Sequence, residues 1–263
     1  MDIKRITSAA ILIPTIILFI YFAQPLLWLF LILIIGTLAL NEFNNMSLFD
    51  VKSSDKRFTF FINAITIASV YFTESTAFAA LFAFIAVAFY HLIKPDTHKD
   101  ILKYILKDML GIFYCGVLPS YIMLIRILDG KIYICLLLLT IWTVDTAAYY
   151  VGCSIGRRKL IPNISPNKTW EGSIGGVIGA VALLIAAKIM YFTNFSFLEA
   201  TIFGIILSVT AQIGDLFESL LKRAKGIKDS GDLIPGHGGM LDRIDSLLFT
   251  APVFFYFTLF FSL

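Results

Sequence analysis

Residues 215–245, DLFESLLKRAKGIKDSGDLIPGHGGMLDRID, gather many of the side chains in this chain that could do ionic chemistry. The window holds six acids (Asp215, Glu218, Asp229, Asp232, Asp242, Asp245), five bases (Lys222, Arg223, Lys225, Lys228, Arg243) and His237. Asp215, Ser219 and Lys222 stand at i, i+4 and i+7, so on a helix they share one face. Pro235, Gly236, Gly238 and Gly239 make a turn whose backbone can approach a ligand closely. Asp242 and Asp245 follow at i and i+3, on one side of a helix that starts there. Two helix ends can then bring Asp215, Asp242 and Asp245 to one point. Hard carboxylate oxygens of that kind suit Mg²⁺, with substrate phosphates and water completing the shell. The helix dipole alone would favour acids in a first turn. It does not account for Lys222, Arg223 and Lys228 in the same stretch. Acids for a metal beside bases for phosphates are the composition of a phosphoryl-transfer site.

Two further places combine polarity with apolar surroundings. Asp145 sits in IWTVDTAAYYVG, and a carboxylate at membrane depth marks function by default. The loop 154–172, SIGRRKLIPNISPNKTWEG, carries Arg157, Arg158, Lys159 and Lys168, suited to phosphate. Pro162 and Pro166 keep it from being a simple helix. Within it Ser165, Asn167, Lys168, Thr169 and Glu171 gather short polar side chains and a charged pair just before a Gly-rich span. Gly172, Gly176 and Ala180 recur every fourth residue, as do Gly175 and Gly179, a pattern for close helix packing. No P-loop, no dinucleotide-binding glycine motif, no HExxH and no Ser-His-Asp pattern is present. Cys115, Cys135 and Cys153 lie in or beside apolar runs and read as small packing residues.

The elements that must position these groups are membrane helices. The chain has 263 residues, 59% of them hydrophobic and 15% charged, with a mean hydropathy of +0.86. A soluble domain could not bury that much apolar surface. Nine apolar runs, about 17 to 22 residues each, are long enough to cross a bilayer. They lie near 6–22, 25–41, 58–73, 76–93, 109–127, 132–152, 173–193, 196–213 and 246–263. The first is read as a retained span rather than a cleaved signal. Alternating the loops places 18 of the 21 Lys and Arg residues on the side of the N-terminus, which is therefore cytoplasmic. The expectation is an all-α polytopic protein forming one membrane domain over 1–263. Its N-terminal spans cover 1–127, and its catalytic spans cover 132–263 with cytoplasmic loops at 154–172 and 215–245. The segment 94–108 reads as an interfacial helix on anionic headgroups, with His91 and His98 solvated or interfacial. The bases sit in short loops between spans, and nothing resembles a nucleic-acid-binding surface.

The run Ser219-Leu220-Leu221-Lys222-Arg223, then Lys228-Asp229-Ser230-Gly231, then Pro235 to Asp245 resembles the signature of the phosphatidate cytidylyltransferases, or CDP-diacylglycerol synthases. SPNKTWEGSIGG at 165–176 and Asp145-Thr146-Ala147-Ala148-Tyr149 are similar to that family too. The resemblance is close over roughly 140–250 and elsewhere extends only to the presence of several spans. It implies an enzyme that joins CTP to phosphatidic acid, giving CDP-diacylglycerol and pyrophosphate for phospholipid synthesis. It implies Mg²⁺, a second cation in some members, and a homodimer in the cell membrane with the site facing the cytoplasm. By that similarity Asp215, Asp242 and Asp245 ligate metal, and Lys168, Lys222, Arg223, Lys228 and His237 line the phosphate pocket. Asp145 joins these as a catalytic candidate, and Ser165, Asn167, Ser219, Gly238 and Gly239 as substrate-binding candidates.

Two other readings compete. A CTP-dependent polyprenol or phytol kinase would use similar phosphate chemistry on an alcohol, which needs a general base such as His237 or an aspartate. A transporter would use Asp145 and Asp215 as ion or substrate ligands, but has no need of a cytoplasmic cluster of acids with phosphate-binding bases.

Overall fold

The computed structural model describes residues 14–46, 53–94, 101–128, 130–192, 195–231 and 238–261. Helix α1 covers 14–22. It is followed by α2 (Pro25–Met46), α3 (Ser53–Thr73), α4 (Thr76–Ile93), α5 (Ile101–Ile112) and α6 (Leu118–Ile127). Next come α7 (Lys131–Ile155), a hairpin of β1 (Lys159–Ile161) and β2 (Ser165–Thr169), α8 (Trp170–Met190), α9 (Phe197–Lys225) and α10 (Leu241–Phe261). Among the described residues seven helices are long and apolar enough to cross a membrane. The chain is a polytopic α-helical membrane protein. Helix α3 is not among the seven; it carries Thr59, Asn63 and Thr66 in buried positions.

The chain divides into two compact units. The first comprises Met1–Gly130 with Ala224–Arg243. Its α5 and α6 form one continuous helix, Ile101–Ile127, through a π-turn at Phe113–Val117. Pro119 explains the turn: lacking an N–H, it cannot donate to the carbonyl of Cys115, and the ladder re-registers so that Leu118 donates to Phe113. Helix α2 comes close at this point, because a Cβ on Gly36 would stand 2.5 Å from that carbonyl oxygen. Ile62, Ala83, Val87 and Ile112 form an apolar cluster among α3, α4 and α5.

The expected interfacial helix at 94–108 is corrected here. Residues 95–100, His98 among them, lie outside the described residues. Residues 101–108 are the first two turns of the long α5–α6 helix, and Lys107 and Asp108 are buried. His91 is buried as well, with Nε2 2.9 Å from Asp108 Oδ2. Lys107 donates to the other oxygen of Asp108 at 3.2 Å. Paired charges can be buried where isolated ones cannot, and the lysine pattern gave no sign of this pairing.

The second unit comprises Lys131–Arg223 with Ile244–Leu263. Here the glycine spacing of α8 does what it implied. A Cβ on Gly172 would stand 2.7 Å from the Ala148 carbonyl oxygen, one on Gly175 2.7 Å from Val151 Cβ, and one on Gly179 2.9 Å from Ala147 Cβ. Helices α7 and α8 therefore touch backbone to backbone. Val144, Ala180 and Ala211 fill the centre where α9 joins them. Phe203 of α9 stacks on Phe257 of α10, with ring centroids 3.7 Å apart, and buried Phe254 packs beside them. The loop after α7 is a hairpin, with Lys159 opposite Thr169 and Ile161 opposite Ser165. Pro162 and Asn163 occupy its turn, where helix is disfavoured. Thr169 then caps α8, its hydroxyl accepting the Gly172 N–H at 3.1 Å.

Candidate functional site

Helix packing in the second unit determines which acids meet. A Cβ on Gly214 would stand 2.5 Å from the Asp245 carbonyl oxygen and 3.1 Å from Ser246 Cα. Helices α9 and α10 thus touch through bare backbone, one residue from Asp215 and directly at Asp245. Asp145 comes from α7, which α8 draws in by its glycine face. Asp145, Asp215 and Asp245 are near enough for their charges to act on one another. The Lys168 ammonium, from β2, forms an ion pair with Asp215 and also acts on Asp145. Lys222, two turns beyond Asp215 on α9, is paired with the fully buried Glu218 and acts on Asp245.

The hairpin is held to this cluster at several points. Lys168 ties β2 to α9, and Arg223 Nε donates to the Ile164 carbonyl at 3.2 Å. The Glu171 carboxylate, in the first turn of α8, accepts the backbone N–H groups of Arg157 and Arg158 at 3.0 and 3.2 Å. Gln212, one turn before Asp215, bonds the Ser173 hydroxyl and the Ser208 hydroxyl, fixing α8 against α9.

Of the residues predicted from sequence, this unit brings together Asp145, Lys168, Asp215, Lys222, Arg223 and Asp245. Ser165 opens β2, Asn167 is exposed on it, and Ser219 is half-buried on α9. The 215–245 window resolves into the last turns of α9 up to Lys225, a connection, and the start of α10 at Leu241. His237 lies outside the described residues. Lys228 is exposed. Gly238 has φ +77°, a conformation that favours glycine, and a Cβ there would stand 2.6 Å from Asp242 Oδ2.

Asp242 belongs to the first unit, and its Oδ2 is occupied by the loop. It accepts the backbone N–H groups of Ser230 and Gly239 at 2.9 and 2.8 Å, with the Ser230 hydroxyl at 2.9 Å. Beside it stands Glu42 of α2, buried, which accepts the N–H groups of Met240 and Leu241 at 2.7 and 2.8 Å. Neither Glu42 nor Glu218 is among the site residues expected from the sequence. Glu218 has a local signal, a lysine four residues on. Glu42 has none, because its partners lie 188 to 199 residues away.

Among the described residues no three His, Cys, Asp or Glu side chains stand in a ready coordinating arrangement. The donor chemistry nonetheless fits a hard dication. Around Asp215 there are four carboxylates (Asp145, Asp215, Glu218, Asp245) and three bases (Lys168, Lys222, Arg223), an excess of one negative charge when all are ionised. Oxygen donors with net negative charge suit Mg²⁺.

The model of the cytidylyltransferase family matches residues 3–261. A phosphatidate cytidylyltransferase of Bacillus subtilis is 42% identical over 183 residues, covering 68% of this chain and 66% of that protein. The Synechocystis enzyme of the same name is 38% identical, over 65% of this chain and 67% of its own. That of Haemophilus influenzae is 49% identical, over 46% of this chain and 43% of its own length. The matched stretches thus span from under half to about two thirds of these relatives. With nearly its whole length matched by the family model, the chain belongs to the cytidylyltransferase family.

Proposed function

We propose that this protein transfers the cytidylyl group of CTP to phosphatidic acid, giving CDP-diacylglycerol and pyrophosphate. The observation that carries the reading is the Lys168–Asp215 ion pair, which joins the 165–176 motif to the 215–245 signature. The names of the curated relatives support the choice of substrates.

The reaction asks little proton chemistry of the protein. A phosphate oxygen of phosphatidate is already an anionic nucleophile. It forms a bond to the α-phosphorus of CTP as the bond from that phosphorus to the bridging β-phosphate oxygen breaks, and pyrophosphate leaves. The barrier comes from bringing two anions together in line. Lys168, Lys222 and Arg223 lower it by offsetting that charge and holding the phosphates. Asp215 and Asp245, with Asp145 beside them, are the proposed Mg²⁺ ligands, and the family resemblance adds Asp242. When bound, the ion neutralises phosphate charge and steadies the leaving pyrophosphate. Asp145 adds a third carboxylate to the cluster, and the hairpin keeps Lys168 on its edge. Ser165, Asn167, Ser219, Gly238, Gly239, Lys228 and His237 complete the proposed substrate contacts.

The site works at the headgroup plane, since one substrate cannot leave the bilayer and the other cannot enter it. The distribution of Lys and Arg supports nine spans, a cytoplasmic N-terminus and a site open to the cytoplasm, in the cell membrane. Homodimerisation and a second cation belong to the same reading. Purified protein given CTP labelled either in the cytidine or at the γ-phosphate, with phosphatidate or a polyprenol as acceptor, tests it. Cytidine label entering lipid only with phosphatidate is expected. Transfer of the γ-phosphate to the polyprenol without cytidine would replace this reading with a kinase.

A further inference from the structure

The signature loop is held from a distant part of the chain. Glu42, on α2, is 6% exposed, and its carboxylate lies at the N-terminus of α10. Oε1 takes the Met240 N–H at 2.7 Å, and Oε2 takes the Leu241 N–H at 2.8 Å. A helix N-terminus leaves its first N–H groups unpaired and carries positive dipole charge, so a buried carboxylate is well matched to it. The packing leaves no slack. A Cβ on Gly231 would stand 3.0 Å from Glu42 Oε1, and one on Gly239 2.5 Å from Glu42 Oε2. Both glycines flank the connection that carries the signature.

Ser230 links this carboxylate to Asp242. Its Oγ is 2.9 Å from Glu42 Oε2 and 2.9 Å from Asp242 Oδ2. The hydroxyl has one proton and can donate to one of the two at a time. Glu42 therefore influences both the backbone on which Asp242 is mounted and the hydrogen bond Asp242 receives. We propose that Glu42 is a positioning residue for the cytidylyl transfer, holding the loop and the start of α10 so that Asp242 is correctly presented. This inference rests on the function proposed above. Glu42 acts through Met240, Leu241 and Ser230 and is assigned no contact with substrate.

The test compares full-length wild type, Glu42→Ala and Glu42→Gln in detergent micelles. CDP-diacylglycerol formation and peptide-resolved amide hydrogen exchange are both measured. Glu42→Ala should lower kcat at least tenfold and speed exchange in a peptide covering 238–243, with a peptide from α8 unchanged. Glu42→Gln keeps one carbonyl acceptor in the same place and should recover part of both losses; it also serves if the alanine variant does not fold. Normal kcat in Glu42→Ala, or faster exchange without loss of kcat, would overturn the proposal. So would equal losses in Ala and Gln with faster exchange throughout the chain, which is general destabilisation. A wild type that makes no CDP-diacylglycerol would instead overturn the functional reading. The exchange data would then still report whether Glu42 holds the loop.

Discussion

Gly214→Ala adds one methyl group where α9 and α10 meet. Its Cβ would stand 2.5 Å from the Asp245 carbonyl oxygen, 3.1 Å from Ser246 Cα and 3.2 Å from the Asp245 carbonyl carbon. All three are backbone atoms, so no rotamer change relieves the clash. The helices must part by about 1 Å, with an overpacking cost of about 1–3 kcal/mol. That parting moves Asp215 away from Asp245. A displacement of about 1 Å at a reacting centre costs on the order of 10²-fold in rate. The assay is incorporation of cytidine-labelled CTP into phosphatidate, normalised to folded protein by size exclusion and followed by a thermal melt. A fall of about 10²-fold in turnover with a modest drop in melting temperature is expected. Turnover within threefold of wild type, with an unchanged melt, would refute the claim that backbone contact at Gly214 sets the spacing of the carboxylates.

Lys168→Met removes the ammonium that pairs with Asp215 and should lower kcat/KM by about 10²-fold. Lys168→Arg should recover part of the loss in the same assay. Gly175→Leu sets a side chain against Val151, whose Cβ would be 2.7 Å from the new Cβ. It should destabilise the protein by about 1–3 kcal/mol, read as a lower thermal midpoint, because α7 and α8 cannot stay in contact.

Much of the candidate site was legible because charge in an apolar chain is conspicuous. Asp145, Lys168, Asp215 and Asp245 each stood out, and the structure brings them together. The glycines of α8 were legible for a related reason, since a four-residue repeat on a helix defines a face. What escaped was long-range pairing. Glu42 sits in NEFNN at the end of an apolar helix, and its partners around 230 and 240 have no local relation to it. His91 and Asp108 stand 17 residues apart with no local pattern linking them, yet they satisfy one another in the interior. The i, i+3 spacing of Asp242 and Asp245 gave their side of the helix but not their partners. Asp242 Oδ2 is taken by the loop, while Asp245 lies within the electrostatic reach of Asp215 and Asp145.

Asp245→Asn tests most directly whether the carboxylate cluster carries the transfer. Asparagine keeps an oxygen for the Ser246 N–H, which Asp245 Oδ1 accepts at 2.6 Å. It keeps the shape of the side chain and removes its capacity to carry negative charge. The variant should therefore melt no lower than wild type while its Mg²⁺-dependent formation of CDP-diacylglycerol falls by about 10³-fold or more. Near-normal turnover in a folded Asp245→Asn protein would contradict the account.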